Sequence, residues 1–165
     1  MDPTQLSLEL REAHTPDLQR RRWIVGLSLL GVAMGQLVSL YQTGIIKNLP
    51  DPPGPFDSAR VDSSEYAYKR LQTPDALMMV VSYGATAWLA AAGGKDRASD
   101  LPLLPVAMGL KIVGDALTAL ELGREEWTEN KALCAYCQVA TVASLASIPL
   151  AFPETRRALG KLLRR

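Results

Sequence analysis

The chain has 165 residues, of which 48% are hydrophobic and 21% charged, and its formal net charge is +1. This length allows one compact domain, and a net charge so close to zero gives no general positive field, so we predict no nucleic-acid partner. The mean hydropathy of +0.04 averages over long uncharged blocks and strongly charged segments. The distribution of the apolar residues is therefore more informative than their total.

Residues 1–22 form a polar tail with charges of both signs and two prolines. A cleavable signal peptide would instead begin with a short basic stretch, followed by roughly 7–15 apolar residues and a small-residue cleavage site. The tail does not have this pattern. We therefore expect the apolar block that follows it to stay in place as a membrane anchor.

Four apolar blocks follow the tail, and each is long enough to cross a membrane as a helix, which takes about 20 residues. Three of them are free of formal charges over 24, 19 and 22 residues, whereas the third block in chain order contains Lys111, Asp115 and Glu121. The uncharged blocks also lack the polar face of a helix in a soluble bundle. We predict an all-α fold, a polytopic membrane four-helix bundle, with spans at about residues 23–46, 76–94, 101–122 and 132–152.

Small and charged residues in or beside the spans carry three further predictions. In the first span, Gly26, Gly31 and Gly35 are predicted to be positions where helices pack closely. In the third span, Lys111 and Asp115 lie one helical turn apart and can form an ion pair. A charged cluster after this pair is predicted to be a solvated outer turn, and it comprises Glu121, Arg124, Glu125, Glu126 and Glu129.

The basic residues predict the orientation, because Lys and Arg are enriched on the cytoplasmic side of membrane proteins. The N-terminal tail, the loop after the second span and residues 154–165 hold 11 of the 18 basic residues. We therefore predict a multi-pass protein of the inner (plasma) membrane, in contact with membrane lipid, with both termini cytoplasmic. The run Arg20-Arg21-Arg22 is interpreted as a topology signal, and residues 154–165 as a short basic amphipathic helix at the cytoplasmic surface.

Residues 47–75, between the first two spans, are predicted to be external. Four prolines between residues 48 and 56 exclude regular helix there, because proline lacks the amide donor and restricts the residue before it. Residues 65–71 can form a short helix, with Ser63 or Ser64 as its N-cap. We expect the segment to form a cap over the bundle.

The only two cysteines, Cys134 and Cys137, lie where a polar loop enters the fourth span. At a helix start, the first thiol of a Cys-x-x-Cys pair meets unpaired amides and the positive end of the helix dipole, which stabilise a thiolate, and the second thiol lies one turn deeper. The basic residues place this helix end on the extracytoplasmic side, where thiol–disulfide exchange is routine. The sequence therefore predicts a redox-active pair.

A zinc site and a haem site are alternative interpretations of the cysteine pair. A zinc site usually needs four ligands, and His14, the only histidine, lies on the opposite predicted side. A c-type haem site needs His after the second cysteine, where Gln138 stands. We therefore predict no metal site, while two small apolar core residues remain an alternative.

Together with the cysteine pair, the layout of the chain resembles the vitamin K epoxide reductase family. That family has a four-helix membrane bundle, a long external segment after the first helix and Cys-x-x-Cys at the outer start of the fourth helix. Residues 23–153 show this layout and are the predicted membrane domain. The stretch Ser64-Glu-Tyr66, with Pro74 and Tyr83, is also similar to the family's sequence at the second helix.

The resemblance implies a thiol–disulfide oxidoreductase with a membrane quinone of the ubiquinone or menaquinone type as acceptor. Cys134 would exchange with an incoming dithiol, for which a thioredoxin-like periplasmic protein is a candidate, and Cys137 would face the quinone. Asp75 falls about where the family has a polar residue near the quinone carbonyl, and Tyr83 is expected to line the pocket. For Lys111 and Asp115, proton delivery to the quinone is the alternative to a structural pair, disfavoured because the quinone should lie further out.

One departure from the family pattern concerns the relay of electrons. Family members usually carry a second cysteine pair in the external segment, whereas residues 47–75 contain no cysteine and Ser58 stands roughly where one is expected. Either a partner exchanges directly with Cys134, or another protein supplies the relay, or activity has been lost. Two alternatives to an enzyme therefore stay open: a non-catalytic family member that binds quinone or a partner, and an unrelated four-helix membrane scaffold with a structural cysteine pair.

Overall fold

The computed structural model describes residues 2–164, and in this range it is all-helical, with seven helices, a 3₁₀ turn at Glu65–Ala67 and no β-strand. The helices are α1 (Pro3–Glu12), α2 (Pro16–Gln42), α3 (Ser58–Asp62), α4 (Asp75–Ala91), α5 (Arg97–Asp100), α6 (Leu103–Asn130) and α7 (Ala135–Leu162). The predicted all-α class is therefore confirmed.

The four longest apolar helices pack side by side. Helix α2 packs on α4 and α7, and α6 packs on α7 and, less extensively, on α4. Helices α2, α6 and α7 have 27, 28 and 28 residues and are long and apolar enough to cross a membrane, whereas α4 has 17 residues and falls short of that length. Three of the four predicted spans thus have the expected length and composition, and the fourth crossing stays a prediction.

The helices extend beyond the predicted spans at both chain ends. Helix α2 begins at Pro16, because the Thr15 hydroxyl accepts a hydrogen bond from the Leu18 amide and proline is favourable in a first helical turn. Helix α7 continues through Pro153 to Leu162, so the residues predicted to be helical after residue 153 are helical to Leu162, but they continue α7 rather than form a short helix of their own. Arg165, counted in the predicted basic tail, lies outside the described residues.

Residues 47–75 lie across the end of the bundle that holds the cysteines, which we call the cysteine end. The Tyr136 hydroxyl donates to the Pro50 carbonyl at 2.7 Å, and the Asp57 amide donates to the Leu133 carbonyl at 3.1 Å. The short helix predicted at residues 65–71 forms only in part, as the 3₁₀ turn Glu65–Ala67 with Ser64 at the N-cap position. It does not reach Leu71, because Leu71 and Gln72 have left-handed φ values of 53° and 51°. Helix α3, at Ser58–Asp62, was not predicted.

Two buried arginines organise the opposite end of the bundle, which we call the arginine end. The Arg21 guanidinium donates to the carbonyls of five residues at and after the end of α4, 90–94. Arg97 donates to the carbonyls of Leu89 and Ala92, each at 2.6 Å, and forms an ion pair with Glu154. The sequence suggested a topology signal at Arg21, and the structure adds a capping role for it at the C-terminus of α4.

Large apolar side chains are exposed along all four long helices. Trp23 and Trp88 lie near the arginine end, and Trp127 lies near the cysteine end. Others along the helix surfaces include Leu29, Val81, Leu103, Leu110, Leu117, Val142 and Phe152. An apolar surface of this extent, with tryptophan toward both ends, fits contact with the lipid and interfacial layers of a membrane.

Candidate functional site

The cysteine pair sits at the junction between α6 and α7. Helix α6 ends at Asn130, the left-handed φ of 53° at its C-cap Lys131 turns the chain, and Cys134 is the N-cap of α7. The Cys137 amide donates to Cys134 Sγ at 3.2 Å. Cys134 is fully buried and Cys137 half-buried, and both are free thiols. The pair therefore has the predicted placement, with the first sulfur at the helix start and the second one turn on.

Glu126 supports this junction from α6, and it is only 2% exposed. Its Oε2 accepts hydrogen bonds from the Cys134 amide at 3.1 Å and from Gln138 Nε2 at 3.3 Å. The prediction that Glu126 belongs to a solvated turn is wrong, because α6 continues to Asn130 and Glu126 lies on its inner face. The spacing along the sequence indicated this burial. Ile112 lies two heptads before Glu126, so the two residues share the buried face of α6.

Asp62, at the end of α3, brings a second buried carboxylate to the cysteines. It is 1% exposed. One of its oxygens and the two cysteine sulfurs all lie within 4.8 Å of one another. Burial raises the pKa of the Asp62 carboxyl to about 7, and a hydrogen bond with Cys134 partly opposes this shift. Its Oδ2 is buried and has no hydrogen-bond partner among the described residues. Sequence reasoning did not single out Asp62, because its position depends on a loop fold that carries no local signal.

Ser58 lies beside the cysteine pair, at the first residue of α3. It is fully buried, and its Oγ accepts a hydrogen bond from the Ala135 amide at 2.9 Å. Its own amide donates to Asp51 Oδ2 at 2.7 Å. The family resemblance led us to expect a relay cysteine at about this position. Ser58 thus contacts Ala135, the first residue of α7, next to Cys134.

A cavity of about 280 Å³ opens beside Cys137, between α4, α6 and α7. Its wall includes Cys137 and two residues predicted to bind the acceptor, Asp75 and Tyr83. The structure therefore brings three of the four predicted site residues around one cavity, while Cys134 lies behind Cys137. Most of the remaining wall is apolar and includes Ala76, Met78, Met79, Ala119, Leu122 and Ala140.

Several polar groups at the cavity are held in fixed positions. The Tyr83 hydroxyl donates to the Ala140 carbonyl at 2.6 Å and lies 2.7 Å from Ser144 Oγ. Asp75 Oδ1 accepts a hydrogen bond from Gln42 Nε2 at 2.7 Å. Groups from α2 and α7 thus hold the two α4 side chains in place at the cavity.

Arg70 provides a free hydrogen-bond donor at the same cavity. Its Nη2 forms an ion pair with Glu125, and the guanidinium lies 5.2 Å from the centre of the Tyr66 ring. Its Nη1 is buried and has no hydrogen-bond partner within residues 2–164. The sequence did not predict this unpartnered donor in a residue of the cavity wall.

Lys111 and Asp115 form the predicted ion pair, with Nζ 2.6 Å from Oδ1. Lys111 Nζ also donates to Ser82 Oγ at 2.7 Å, and Thr86 Oγ1 donates to Asp115 Oδ2 at 2.8 Å. This network favours the structural interpretation of the pair. Asp115 nevertheless lies in the cavity wall, so the cavity reaches deeper into the bundle than the sequence indicates.

The comparisons with known proteins agree with this arrangement at the level of the family. The profile of the vitamin K epoxide reductase family matches residues 22–152, well over half of the chain. Among curated proteins and among solved structures, no match to this chain is significant. The matched range contains α4, α6, most of α2, the cysteine pair and the cavity. The chain therefore belongs to the vitamin K epoxide reductase family, whose members are associated with quinone-linked redox chemistry.

Proposed function

We propose that this protein is a thiol–disulfide oxidoreductase that passes electrons from a dithiol through Cys134 and Cys137 to a membrane quinone. The observation that carries the proposal is that Cys137 lines an apolar cavity together with Asp75 and Tyr83. Its volume of about 280 Å³ is near the lower end for ligand pockets, about 300 Å³. That size suits a quinone ring, with the isoprenoid chain leaving toward lipid.

The cysteine pair would exchange electrons in two steps. In the first, a substrate thiolate attacks the Cys134–Cys137 disulfide at Cys134, and the second substrate thiol completes the exchange, which leaves a substrate disulfide and two reduced cysteines. In the second, the two cysteines re-form their disulfide and lose two electrons and two protons, which a quinone takes up to become a hydroquinone. The amide of Cys137 and the start of α7 favour the thiolate form of Cys134, whereas its burial and the neighbouring Asp62 carboxylate oppose it.

The protein's role toward the acceptor is to bind and orient it in a dry site. The free Nη1 of Arg70 would donate to one carbonyl oxygen, and Tyr83 would shape the wall beside the ring. The buried carboxyl of Glu126, between the Cys134 amide and the cavity, is a candidate acceptor for protons released by the cysteines. The apolar wall would exclude water from the electron transfer.

The same proposal includes four membrane crossings with both termini cytoplasmic and the cysteine end outside. Helix α4 has 17 residues, which gives about 26 Å at about 1.5 Å each. A span this short is accommodated by local thinning of the bilayer or by anchoring residues at the interface. Exposed Trp88, near the end of α4, is suited to such anchoring.

A second candidate function, a non-catalytic family member, is favoured by one specific observation. Cys134 is fully buried, packed in a cluster with Val61, Tyr66 and Ala67 of the 47–75 segment. A thioredoxin-like partner can reach its sulfur only if this segment moves aside, and residues 47–75 contain no cysteine to relay electrons. Membership in the family removes the other alternative, an unrelated scaffold.

Purified protein in detergent, supplied with dithiothreitol and a short-chain ubiquinone or menaquinone analogue, tests the proposal. We expect quinone reduction by the wild type and its loss in both Cys134→Ser and Cys137→Ser. Ala146→Ser, at an exposed position of the same helix, is the matched control and should leave the rate unchanged. An unchanged rate in either cysteine variant excludes the mechanism, and quinone binding without turnover in the wild type supports the non-catalytic candidate.

A further inference from the structure

Asp62, Cys134 and Cys137 place three metal-binding atoms together in the interior of the cysteine end. One carboxylate oxygen and the two sulfurs all lie within 4.8 Å of one another. In a tetrahedral zinc site, Zn–S distances of about 2.3 Å and Zn–O distances of about 2.0–2.2 Å separate the ligand atoms by roughly 3.5–3.8 Å. Closing the three atoms around one ion therefore requires side-chain rotations rather than a change of fold.

The state of Asp62 is a separate observation that points to a missing ligand. The residue is 1% exposed, and its Oδ2 has no hydrogen-bond partner among residues 2–164. Although the carboxyl group has a hydrogen bond with Cys134, a buried carboxylate oxygen without a partner is costly, because burial removes its hydration without replacing it. A bound cation at the two sulfurs would supply the missing interaction.

We infer that Asp62, Cys134 and Cys137 bind a thiophilic divalent cation, Zn²⁺ in the first place, through two thiolates and one carboxylate. Three protein ligands leave the fourth tetrahedral position to water, as in open zinc sites. Cys137 lines the cavity, so the ion and its fourth ligand would enter from the cavity when no quinone occupies it. On binding, the two thiols lose two protons to solvent and no electrons are transferred.

The site would regulate the cysteine pair. A disulfide has no thiolates to offer, so the ion binds the reduced pair only, and the bound ion prevents the pair from forming its disulfide. Zinc would therefore hold the protein in its reduced form and inhibit electron transfer to a quinone. The site itself requires two reduced sulfurs and Asp62 but no quinone, so it stands independently of the function proposed above.

Metal titration of the full-length chain in detergent, reduced and then freed of reductant, tests the inference. Zn²⁺ bound after gel filtration is counted by mass spectrometry, and Co²⁺ serves as the optical probe. We expect one ion per chain, thiolate-to-cobalt absorbance with tetrahedral d–d bands, and at least two protons released per ion, two of them from the thiols. Protein oxidised with diamide should bind none, and a reduced wild type that binds no Zn²⁺ or Co²⁺ overturns the inference.

Asp62→Asn is the decisive variant, and it should weaken Zn²⁺ binding at least about tenfold. Asp57→Asn is the matched control, because Asp57 is exposed and asparagine caps a helix as well as aspartate does. Equal affinities in the two variants would show that Asp62 is not a ligand. The same samples assayed for quinone reduction separate the two proposals, because an inactive protein that binds zinc contradicts only the proposed function.

Asp62→Cys keeps the test decisive if the Asn variant fails to fold. A third thiolate should retain the ion and raise the thiolate-to-cobalt absorbance roughly 1.5-fold, in proportion to the number of sulfur ligands. A purely structural role for Asp62 predicts no such gain. Unchanged absorbance in this variant overturns the assignment of residue 62 to the site.

Discussion

The ring of Tyr83 lies directly against the backbone of Gly31, so that a Cβ at position 31 would fall 2.4 Å from Tyr83 Cδ1. No side chain larger than hydrogen fits between α2 and α4 at this point. The contact presses Tyr83 toward α7, where its hydroxyl donates to the Ala140 carbonyl. Because Tyr83 lines the cavity, the absence of a side chain at Gly31 determines the position of one cavity wall.

Gly31→Ala should therefore destabilise the protein and disturb the cavity together. Overpacking of this kind costs about 1–3 kcal/mol in the free energy of unfolding, and a displaced Tyr83 ring should raise the KM for a quinone analogue. The measurements are thermal unfolding in detergent and quinone kinetics.

Gly26→Ala is the control for that variant. It changes the same residue type in the same helix, and a Cβ at position 26 would have no described atom within 4 Å. It should leave KM unchanged and the unfolding midpoint equal or slightly higher, because alanine favours helix over glycine. Equal losses of stability in both variants would contradict a specific role for the contact between Gly31 and Tyr83.

The three glycines also show what the sequence can predict. Their presence in an apolar span correctly indicated close packing at Gly31 and Gly35, where a Cβ would lie 3.0 Å from Val80 Cγ2. The same prediction is wrong at Gly26, which faces open space among the described residues. A glycine in the sequence marks a position where another helix can approach closely. Whether one does depends on how α2 is rotated about its own axis, which the sequence does not specify.

The fold class and the family could be predicted from the sequence, whereas the burial of individual charged residues could not. Hydropathy and the position of Cys134 and Cys137 predicted the all-α class and the family, and both are confirmed. The burial of Glu126 and Arg97 was not predicted, because a local charge run predicts exposure and only long-range contacts supply the partners that make burial tolerable. The residues that complete the cysteine end thus came from tertiary structure.

Glu126→Ala should loosen the start of α7. The change removes the acceptor of the buried Cys134 amide, and an unpaired buried amide costs about 1–3 kcal/mol. We expect a lower unfolding midpoint and faster alkylation of Cys134 by iodoacetamide, measured by mass spectrometry of the reduced protein.

Glu121→Ala is the matched control for Glu126, because it removes an exposed glutamate from the same helix. It should change neither the unfolding midpoint nor the alkylation rate appreciably. If Glu126→Ala alkylates at the wild-type rate, the carboxylate does not hold Cys134 in place.

Glu154→Ala should be strongly destabilising at the arginine end. Arg97 Nε lies 2.8 Å from Glu154 Oε1, and both side chains are almost completely buried. Removing one partner leaves a buried charge uncompensated, which costs about 3–5 kcal/mol. Thermal and denaturant unfolding in detergent measure the loss.

Arg157→Ala is the control for Glu154→Ala. It breaks a more exposed ion pair between Arg157 of α7, the helix that also carries Glu154, and Asp17 of α2. A surface pair contributes less than about 1 kcal/mol, so this variant should unfold close to the wild type. A loss in Glu154→Ala no larger than in Arg157→Ala would mean that Arg97 is sufficiently satisfied by the α4 carbonyls alone.

The orientation in the membrane is predicted to place the cysteine end outside, and two serine-to-cysteine variants test it directly. Ser63 lies in the 47–75 segment and Ser99 in α5 near the arginine end, and both are exposed. In a background with Cys134 and Cys137 changed to alanine, a membrane-impermeant maleimide should label Ser63→Cys in intact spheroplasts. Ser99→Cys should react only after permeabilisation, because the basic loop around it is expected in the cytoplasm. The reverse pattern would place the cysteine pair on the reducing side, where a quinone-linked oxidation of dithiols has no supply of extracytoplasmic substrate.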